Sequence, residues 1–258
     1  MTLKISVVTA VYNRVDTVAE ALESVRSQTW PSVEHIVIDG GSTDGTMSVL
    51  QAHSRSLDVL VSDPDKGLYD ALNKGIGRAS GDVVGFLHAD DRFEAVDSLA
   101  RVAAAFDDPD VGAVYGDLVY VQEKDPAQVV RYWRAGSFDP GSLGRGWMPP
   151  HPTLYVRRAI YERIGGFDTR FHISADYESI LRMFGHGGVT PAYVPHVLVR
   201  MRLGGMSNRS LSGLLRKSFE DYLAMQNNKI GGVWTLARKN IVKLPQFLVR
   251  EPGRDSAA

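Results

Sequence analysis

The chain of 258 residues contains no cysteine, which excludes disulfide bonds and thiolate metal sites and is compatible with a reducing compartment. No apolar run approaches the ~20 residues that a transmembrane helix needs. The amino terminus begins directly with a predicted strand, so we expect neither a signal peptide nor a membrane span. The formal net charge is only -1, which argues against a nucleic-acid-binding protein. Together these absences predict a cytoplasmic protein.

Glycine-rich nucleotide-binding fingerprints are also missing. The segments around Gly40, Gly67 and Gly75 follow neither the GxGxxG nor the GxxxxGK[ST] pattern, which argues against a dinucleotide-binding fold and a P-loop. What the chain does have is a hydrophobic content of 44%, enough for a substantial core in one large or two small globular units.

Short apolar runs alternate with helical patterns in the amino-terminal half, as in α/β proteins with a mostly parallel sheet. Strands are predicted at residues 4–10, 35–39, 58–62, from 83 to the acid pair at 90–91, and at 111–117, 119–122, 129–132 and up to 157. Helices are predicted at residues 17–28, from about 46, at 68–79 and from about 95. The first helix carries a Thr17/Glu20 capping box. The distinctive motifs of this half follow strand ends, where open α/β sheets bind ligands.

The segment from Val83 to Asp91 is the most informative, because its apolar run ends in the adjacent carboxylates Asp90 and Asp91. Two ionised carboxylates side by side repel each other, so a divalent cation, a ribose hydroxyl or solvent is expected to take up their lone pairs. The alternative is that the pair opens a turn and caps the next helix. The two residues alone leave both interpretations open.

Other strand ends carry polar groups that suit a nucleotide. Asp39 is followed by two glycines, which let the backbone approach a base or a ribose closely, so we interpret Asp39 as a ligand contact and Asp44 as a helix cap. The lysines beside Gly67 and Gly75 add positive charge at the same edge, although lysines on such loops are usually only solvated.

Six segments occur in a specific order along the chain. They are Ser6 to Asn13, Ile38 to Thr46, Asp65 to Gly75, Ala89-Asp90-Asp91, Gly165-Gly166-Phe167-Asp168, and Ala175-Asp176-Tyr177-Glu178 leading to Leu181-Arg182. Over roughly residues 3 to 208 the chain resembles a family 2 glycosyltransferase with the GT-A nucleotide-sugar-binding fold, similar to bacterial enzymes that build surface polysaccharides or glycolipids. Each glycine motif alone is a weak signal, but the order and spacing together are specific.

The resemblance implies a GT-A domain at residues 1–208, with a mostly parallel central sheet flanked by helices. A nucleotide-sugar half would run to about residue 117, a smaller acceptor half would follow, and a helical tail would occupy residues 209–258. The implied activity is transfer of a sugar from a nucleotide-sugar donor to a hydroxyl of a glycan or lipid-linked acceptor, with Mg²⁺ or Mn²⁺ as cofactor.

The resemblance also implies roles for individual residues. Thr9 and Asp39 would hold the nucleobase, and three further donor-binding residues would lie near the nucleoside, the ribose or the diphosphate: Asp65, Lys66 and Asp90. Asp91 would ligate the metal and Asp176 would be the general base. Because His88 and Ala89 precede the acid pair in place of a strict Asp-x-Asp, the metal would rely more on the diphosphate and water.

The chemistry requires one base on the acceptor side. An acceptor hydroxyl loses its proton as it attacks the anomeric carbon, and a single carboxylate opposite the leaving group gives in-line displacement with inversion. Taken without the resemblance, the residues favour a helix cap at Ser174 or Asp176 instead.

Acceptor recognition is predicted in the second half, at Trp147, His151 and Asp168. Trp147 would either stack on a sugar face or fill the core, and His151 would either touch the acceptor or diphosphate or be structural. Arg202 precedes two glycines, as in a flexible lid whose arginines neutralise the diphosphate. The family often has a histidine near this point; this chain has Arg202 and Leu203 there, and His196 is a weaker substitute.

The tail combines Trp234 with four basic residues between positions 233 and 250, which suits an anionic membrane surface on the cytoplasmic side. The alternative is packing on the catalytic domain or on a second subunit of a homo-oligomer.

Two other functions stay open. A sugar-phosphate nucleotidyltransferase is expected to have a basic glycine-rich loop after the first strand, which residues 9–13 are not. A non-catalytic nucleotide-sugar-binding protein would have little need for both Asp91 and Asp176.

Overall fold

A mixed β-sheet forms the centre of the protein in the computed structural model, which describes residues 2–203 and 211–241. Within these residues the strands are β1 Ile5–Val11, β2 Val33–Asp39, β3 Val59–Ser62, β4 Val83–Phe86, β5 Arg92–Phe93, β6 Val111–Val121, β7 Val129–Trp133, β8 Tyr155–Arg157 and β9 Thr190–Arg202. Their order in the sheet is β3-β2-β1-β4-β8-β6-β9-β5, and β7 pairs with β6.

Helices cover the sheet and connect its strands. They are α1 Val18–Arg26, α2 Thr46–Ala52, α3 Leu68–Ile76, α4 Ser98–Ala105, α5 Pro140–Leu143, α6 Arg158–Ile164, α7 Ala175–Leu181, α8 Leu211–Asn227 and α9 Val233–Ile241, and a π-helical turn Arg182–His186 continues α7. No helix in the described part of the chain is both long enough and apolar enough to cross a membrane.

The amino-terminal half has the predicted parallel α/β arrangement. Strands β1 to β4 are parallel to one another, whereas β8 runs antiparallel to both β4 and β6. All seven residues of β1 are buried, as expected for a parallel strand covered on both faces. Helix α3 packs directly on β1, because a Cβ on Gly75 would lie 2.2 Å from Val8 Cγ1. This arrangement confirms the predicted GT-A fold class.

Several local predictions were wrong. The Thr17/Glu20 capping box does not form, since the Thr17 hydroxyl donates to the Ala89 carbonyl at 2.9 Å and Glu20 pairs with Arg202. The strands predicted at 111–117 and 119–122 are one continuous strand, β6, because pairing with β9 spans its length. Strand β5, which directly follows the acid pair, was not predicted. Helix α4 begins at Ser98 rather than near residue 95, because β5 and a turn come before it.

The cationic tail segment at 233–250 is described only as far as Ile241, and it is helical over Val233–Ile241. Residues 242–250 and the glycines of the predicted lid lie outside the described residues.

Candidate active site

The acid pair lies just beyond the end of β4, and its two carboxylates have different surroundings. Asp91 is only 3% exposed; its Oδ1 accepts a hydrogen bond from the Arg202 backbone amide at 3.1 Å. Its Oδ2 has no hydrogen-bond partner in the described part of the chain. Burial, reinforced by the charge of Asp90, raises the pKa of Asp91 well above its usual range. Asp90 is half-buried, and its Oδ2 lies 3.5 Å from Arg14 Nε.

A buried carboxylate oxygen without a partner suits a hard cation, which prefers oxygen ligands. The described residues contain no group of three or more His, Cys, Asp or Glu side chains that is arranged to hold a metal ion. Asp91 therefore fits a cation as one protein ligand.

A pocket of about 280 Å³ opens beside the acid pair. Asn13, Arg14, Asp90 and Arg202 are among its lining residues. The Arg202 guanidinium pairs with Glu20, so Arg14 is the cation that faces Asp90. Sequence reasoning missed Arg14, although it follows directly on the Ser6 to Asn13 segment.

Asp176 lies in the first turn of α7. Its Oδ1 lies 3.2 Å from the hydroxyl of Tyr69, which also donates to the Ile173 carbonyl at 2.7 Å. The negative charge of Asp176 acts on the side chains of His88 and Tyr120. Asp90 also acts on His88, and Asp91 also acts on Tyr120. Ring contacts link Asp176 to the acid pair: its partner Tyr69 packs on Phe167, Phe167 packs on His151, and His151 lies beside His88.

Two histidines lie between these carboxylates. The His88 and His151 rings are 6.1 Å apart, and His151 stacks on Phe86 at 5.2 Å. Burial lowers the pKa of His151 to about 4; Asp176 opposes this shift and His88 reinforces it. Burial also lowers the pKa of His88, against the charges of Asp90 and Asp176. Both imidazoles are therefore neutral at neutral pH, and His151 Nε2 has no hydrogen-bond partner among the described residues.

The predicted nucleobase residues are buried beneath the strand ends. Thr9 is fully buried, with its Oγ1 3.0 Å from His35 Nε2. Asp39 is also fully buried, and its carboxylate accepts hydrogen bonds from the hydroxyls of Ser42 and Ser62 and from the backbone amides of Gly41 and Ser42. In the structure, Asp39 thus holds the shape of the glycine loop that follows it.

Asp65 approaches the same loop closely. A Cβ on Gly40 would lie 2.3 Å from Asp65 Oδ2, so only glycine fits at this position without a shift of the carboxylate. Lys66 is exposed on the loop that leads into α3. The structure brings Asp39, Asp65 and Lys66 to one edge of the sheet.

The three predicted acceptor-side residues occupy different environments. His151 is in the site, as described above. Trp147 donates from Nε1 to the Ala135 carbonyl at 2.9 Å and packs edge-on against Tyr115 at 5.5 Å, so its indole belongs to the core. Asp168 forms an ion pair with Arg170 at 2.6 Å. His196 is exposed on β9, where its charge acts on Asp97 and not on the acid pair.

A network of polar contacts holds α7 in place. The Arg182 guanidinium pairs with Glu178 at 3.0 Å and donates to the carbonyls of Gly166, at 2.6 Å, and Gly165, at 3.2 Å. The Asn73 amide exchanges two hydrogen bonds of 2.8 Å with the backbone of Phe167. The Gly165 to Phe167 loop is thereby fastened to both α3 and α7, which positions Asp176 relative to α3.

Sequence reasoning also missed a cation–π group on β6 and β7. The Arg131 guanidinium lies 4.7 Å from the centre of the Tyr120 ring and 5.6 Å from that of Trp133. Burial raises the pKa of Tyr120, Arg131 opposes this shift, and Asp91 and Asp176 add to it. No local motif marks this group, because it depends on the register that pairs Tyr120 with Arg131.

Comparison with solved structures shows the same architecture. A mannosyltransferase from Pyrobaculum calidifontis, in complex with GDP-Man and Mn²⁺, has a TM-score of 0.67 at 21% identity over 96% of this chain and 74% of that chain. S. aureus TarS has a TM-score of 0.64 at 19% identity over 95% of this chain, which spans only 43% of TarS. A shorter form of TarS in complex with UDP has a TM-score of 0.63. At such low identity these similarities show the fold.

Sequence comparison goes further. A PGL/p-HBAD biosynthesis glycosyltransferase of Mycobacterium bovis is 30% identical over 209 residues, which cover 79% of this chain and 78% of the relative. An uncharacterized glycosyltransferase of Mycobacterium tuberculosis is 34% identical over 187 residues, which cover 69% of this chain and 68% of the relative. The model of the family described as Glycosyl transferase family 2 matches residues 6–171. The chain therefore belongs to glycosyl transferase family 2 and is a glycosyltransferase, as its motifs indicated.

Proposed function

We propose that the protein is an inverting glycosyltransferase that moves a sugar from a nucleoside diphosphate donor to a hydroxyl of a glycan or lipid-linked acceptor. The observation that carries this proposal is the chain of contacts through Tyr69, Phe167, His151 and His88, which links Asp176 to the buried acid pair after β4. A metal-side carboxylate and an acceptor-side carboxylate are the two groups that in-line sugar transfer requires.

The donor would bind along the carboxyl ends of β1, β2 and β4. Asp65 and Lys66 lie at the edge where a nucleoside would sit, and Thr9 and Asp39 would support it from beneath by shaping the strand ends and the glycine loop. Asp90, Arg14 and Arg202 border the adjoining pocket, where the diphosphate would lie. Solved relatives of this fold in complex with UDP, UDP-GlcNAc and GDP-Man support a nucleoside diphosphate sugar as donor.

A divalent cation, Mg²⁺ or Mn²⁺, would be held by Asp91 through its unpartnered Oδ2. When bound, such an ion stabilises the negative charge of a departing diphosphate. The Mn²⁺ in the Pyrobaculum mannosyltransferase complex supports this assignment. With Asp91 as the single protein carboxylate on the ion, affinity would depend strongly on the bound nucleotide.

Asp176 would accept the proton of the acceptor hydroxyl as that oxygen attacks the anomeric carbon. The neutral imidazoles of His88 and His151 lie between the two carboxylates and would offer hydrogen bonds to sugar hydroxyls without adding charge. Glu178 forms an ion pair with Arg182, and Asp168 forms one with Arg170. Asp176 is therefore the best candidate base.

The carboxyl-terminal helices would place the protein on an anionic membrane surface, where a lipid-linked acceptor is available. Helices α8 and α9 expose large apolar side chains: Leu214, Leu215, Phe219, Val233, Trp234 and Ile241. A domain boundary near residue 208, a division near residue 117 and a homo-oligomer remain predictions.

The direct test is an assay of nucleoside diphosphate release across a panel of sugar nucleotides, with and without lipid-linked acceptors and divalent cations. We expect release that requires one donor, one acceptor and Mg²⁺ or Mn²⁺, and a product of inverted anomeric configuration by NMR. Release of pyrophosphate from a nucleoside triphosphate and a sugar phosphate would instead identify a nucleotidyltransferase. Donor binding without turnover on any acceptor would favour a non-catalytic binding protein.

A further inference from the structure

We propose that Tyr69 is a positioning residue for Asp176, and that its hydroxyl serves both protonation states of that carboxyl group. This inference rests on the proposed role of Asp176 as general base. It assigns a function to a side chain of the Asp65 to Gly75 segment for which sequence analysis gave no role.

Tyr69 is well suited to hold another side chain in place. It lies in the first turn of α3, is only 7% exposed, and its ring packs against Phe167 with centroids 5.4 Å apart. The backbone of Phe167 is in turn fastened to Asn73 of the same helix. The ring is therefore fixed at both its base and its face, and its hydroxyl projects toward the start of α7.

The hydroxyl has two acceptors and one proton. It lies 2.7 Å from the Ile173 carbonyl oxygen and 3.2 Å from Asp176 Oδ1. When Asp176 is ionised, the phenol proton is shared between these two oxygens. Because Oδ1 already accepts from Tyr69 and from the Tyr177 amide, an acceptor hydroxyl would give its proton to Oδ2, and Oδ1 would then still accept from the Tyr69 hydroxyl. The carboxyl group therefore keeps its place before and after proton transfer.

Among the described side chains around Asp176, Tyr69 is the one that is placed to hold its carboxylate. The other groups whose charge or polarity couples to Asp176 are His88 after β4, His151 before β8, and Tyr120 on β6. Among the described residues, the other hydrogen bond to its carboxylate comes from the backbone amide of Tyr177, its own neighbour. Tyr69 is thus the side chain that ties Asp176 to another element, and that element begins with the proposed donor loop at Asp65 to Gly67.

The test is Tyr69→Phe, which removes one oxygen atom and retains the ring that packs on Phe167. We expect a fall in kcat of about 10- to 100-fold, because a poorly held base spends less time in the reactive geometry. Donor KM and affinity for the nucleoside diphosphate should stay within about 2-fold of wild type. The matched control is Tyr161→Phe, since the Tyr161 ring also packs against Phe167 but its hydroxyl has no contact with Asp176. That variant should keep the wild-type kcat.

A double variant separates this inference from the proposed function. In an Asp176→Asn background, Tyr69→Phe should cause no further loss, because both changes remove the same function. Equal losses from Tyr69→Phe in both backgrounds, or a wild-type kcat for the single variant, would overturn the positioning role. If Asp176→Asn alone retained full activity, the proposed base would be wrong, whatever the result at Tyr69.

Discussion

At the scale of single residues, the proposed reaction depends on two carboxylates in contrasting environments. Asp91 is buried with one oxygen unpartnered, and burial raises its pKa well above the usual range. Asp176 is held at a helix start by the Tyr69 hydroxyl. The first environment disfavours a lone negative charge and therefore favours a bound cation; the second keeps a carboxylate available to an incoming hydroxyl.

Replacing Asp91 with Asn should weaken metal-dependent nucleotide binding without lowering the stability of the fold. We expect metal-dependent binding of the nucleoside diphosphate to weaken by on the order of 10- to 100-fold, measured by calorimetry with and without Mn²⁺. Without metal, stability should be unchanged or higher, because the substitution removes a buried carboxyl group whose ionisation is unfavourable. Unaltered metal-dependent affinity would remove Asp91 from the site.

Replacing Asp176 with Asn should lower turnover by about 10²- to 10⁴-fold with donor affinity nearly unchanged, because only the proton acceptor is lost. Asp168→Asn is the matched control, since Asp168 already pairs with the exposed Arg170 and should be dispensable for the rate. Near-full activity of the Asp176 variant would transfer the role of base to Glu178 or Asp168.

His35 should make stability depend on pH. Burial lowers its pKa to about 4, whereas the unfolded chain titrates near 6.5. Between these values the unfolded state binds the extra proton, so the contribution of His35 is complete above about pH 6.5 and is lost as the pH falls toward 4. We expect a loss of roughly 2–3 kcal/mol from this residue by pH 4.

The measurement compares urea unfolding of wild type and His35→Gln from pH 7 to pH 4.5. The difference between the two proteins cancels the contributions of other groups, including His151 and Asp91. The wild type should lose more stability than the variant as the pH falls, and the exposed control His172→Gln should follow the wild type. Parallel curves for wild type and His35→Gln would show that His35 is not the responsible group.

At the scale of elements, α7 is positioned by a loop rather than by packing alone. Arg182 joins the end of α7 to the carbonyls of Gly165 and Gly166, while Asn73 joins the same loop to α3. Gly166 lies so close to Asn73 that a Cβ there would be 2.3 Å from the amide oxygen. These contacts between α3, α7 and the loop set the distance between the proposed donor loop and Asp176.

Arg182→Ala should therefore destabilise the protein by about 2–4 kcal/mol in urea unfolding. The substitution leaves Glu178, whose side chain is 8% exposed, without its cationic partner, and it removes the donor to three backbone carbonyls, those of Ile164, Gly165 and Gly166. Arg170→Ala is the matched control: its side chain is 82% exposed, and its ion pair with Asp168 should contribute less than about 1 kcal/mol. Equal effects of the two substitutions would contradict the proposed role of the loop contacts.

At the scale of the whole molecule, the described carboxyl-terminal helices both pack on the catalytic domain and expose apolar surface. Lys239 is 2% exposed; its Nζ lies 2.8 Å from Asp221 and 3.1 Å from the centre of the Tyr177 ring. Burial alone would raise the pKa of Asp221, but the ammonium groups of Lys239 and Lys217 lower it overall. One of the four cations predicted to face a membrane therefore serves to attach α9 to α8 and α7.

This attachment changes the test of membrane binding. Truncation after Gly232 would remove Lys239 from the buried Asp221, so point substitutions on the exposed face are more informative. The double variant Trp234→Ser with Arg238→Glu should weaken sedimentation with anionic liposomes at least about 10-fold, because it removes an apolar anchor and reverses one charge. Transfer to a soluble acceptor mimic should persist. Arg170→Glu makes the same charge change away from the tail; if it weakened binding equally, the tail would not be the membrane contact.

The sequence by itself determined the fold class and the edge of the sheet where the site lies. Alternating apolar runs and helical patterns specify parallel strands, and the carboxyl ends of such strands meet at one edge, so Asp39, Asp65 and Asp90 could be brought together by reasoning along the chain. In this half β2 pairs with β1 and β3, its neighbours along the chain, and β4 pairs with β1.

Only the tertiary structure decided the partners that complete the site. The Tyr69 hydroxyl and Asp176 are separated by 107 positions in the sequence, and the Arg202 amide and Asp91 by 111. Such contacts depend on the register between β6 and β9 and on the packing of α7 against α3, which periodicity does not encode because it reports only which face of an element is buried. The same reason explains why Trp147 proved to be a core residue and Lys239 a buried ion-pair partner, although the local sequence suited a sugar platform and a membrane contact.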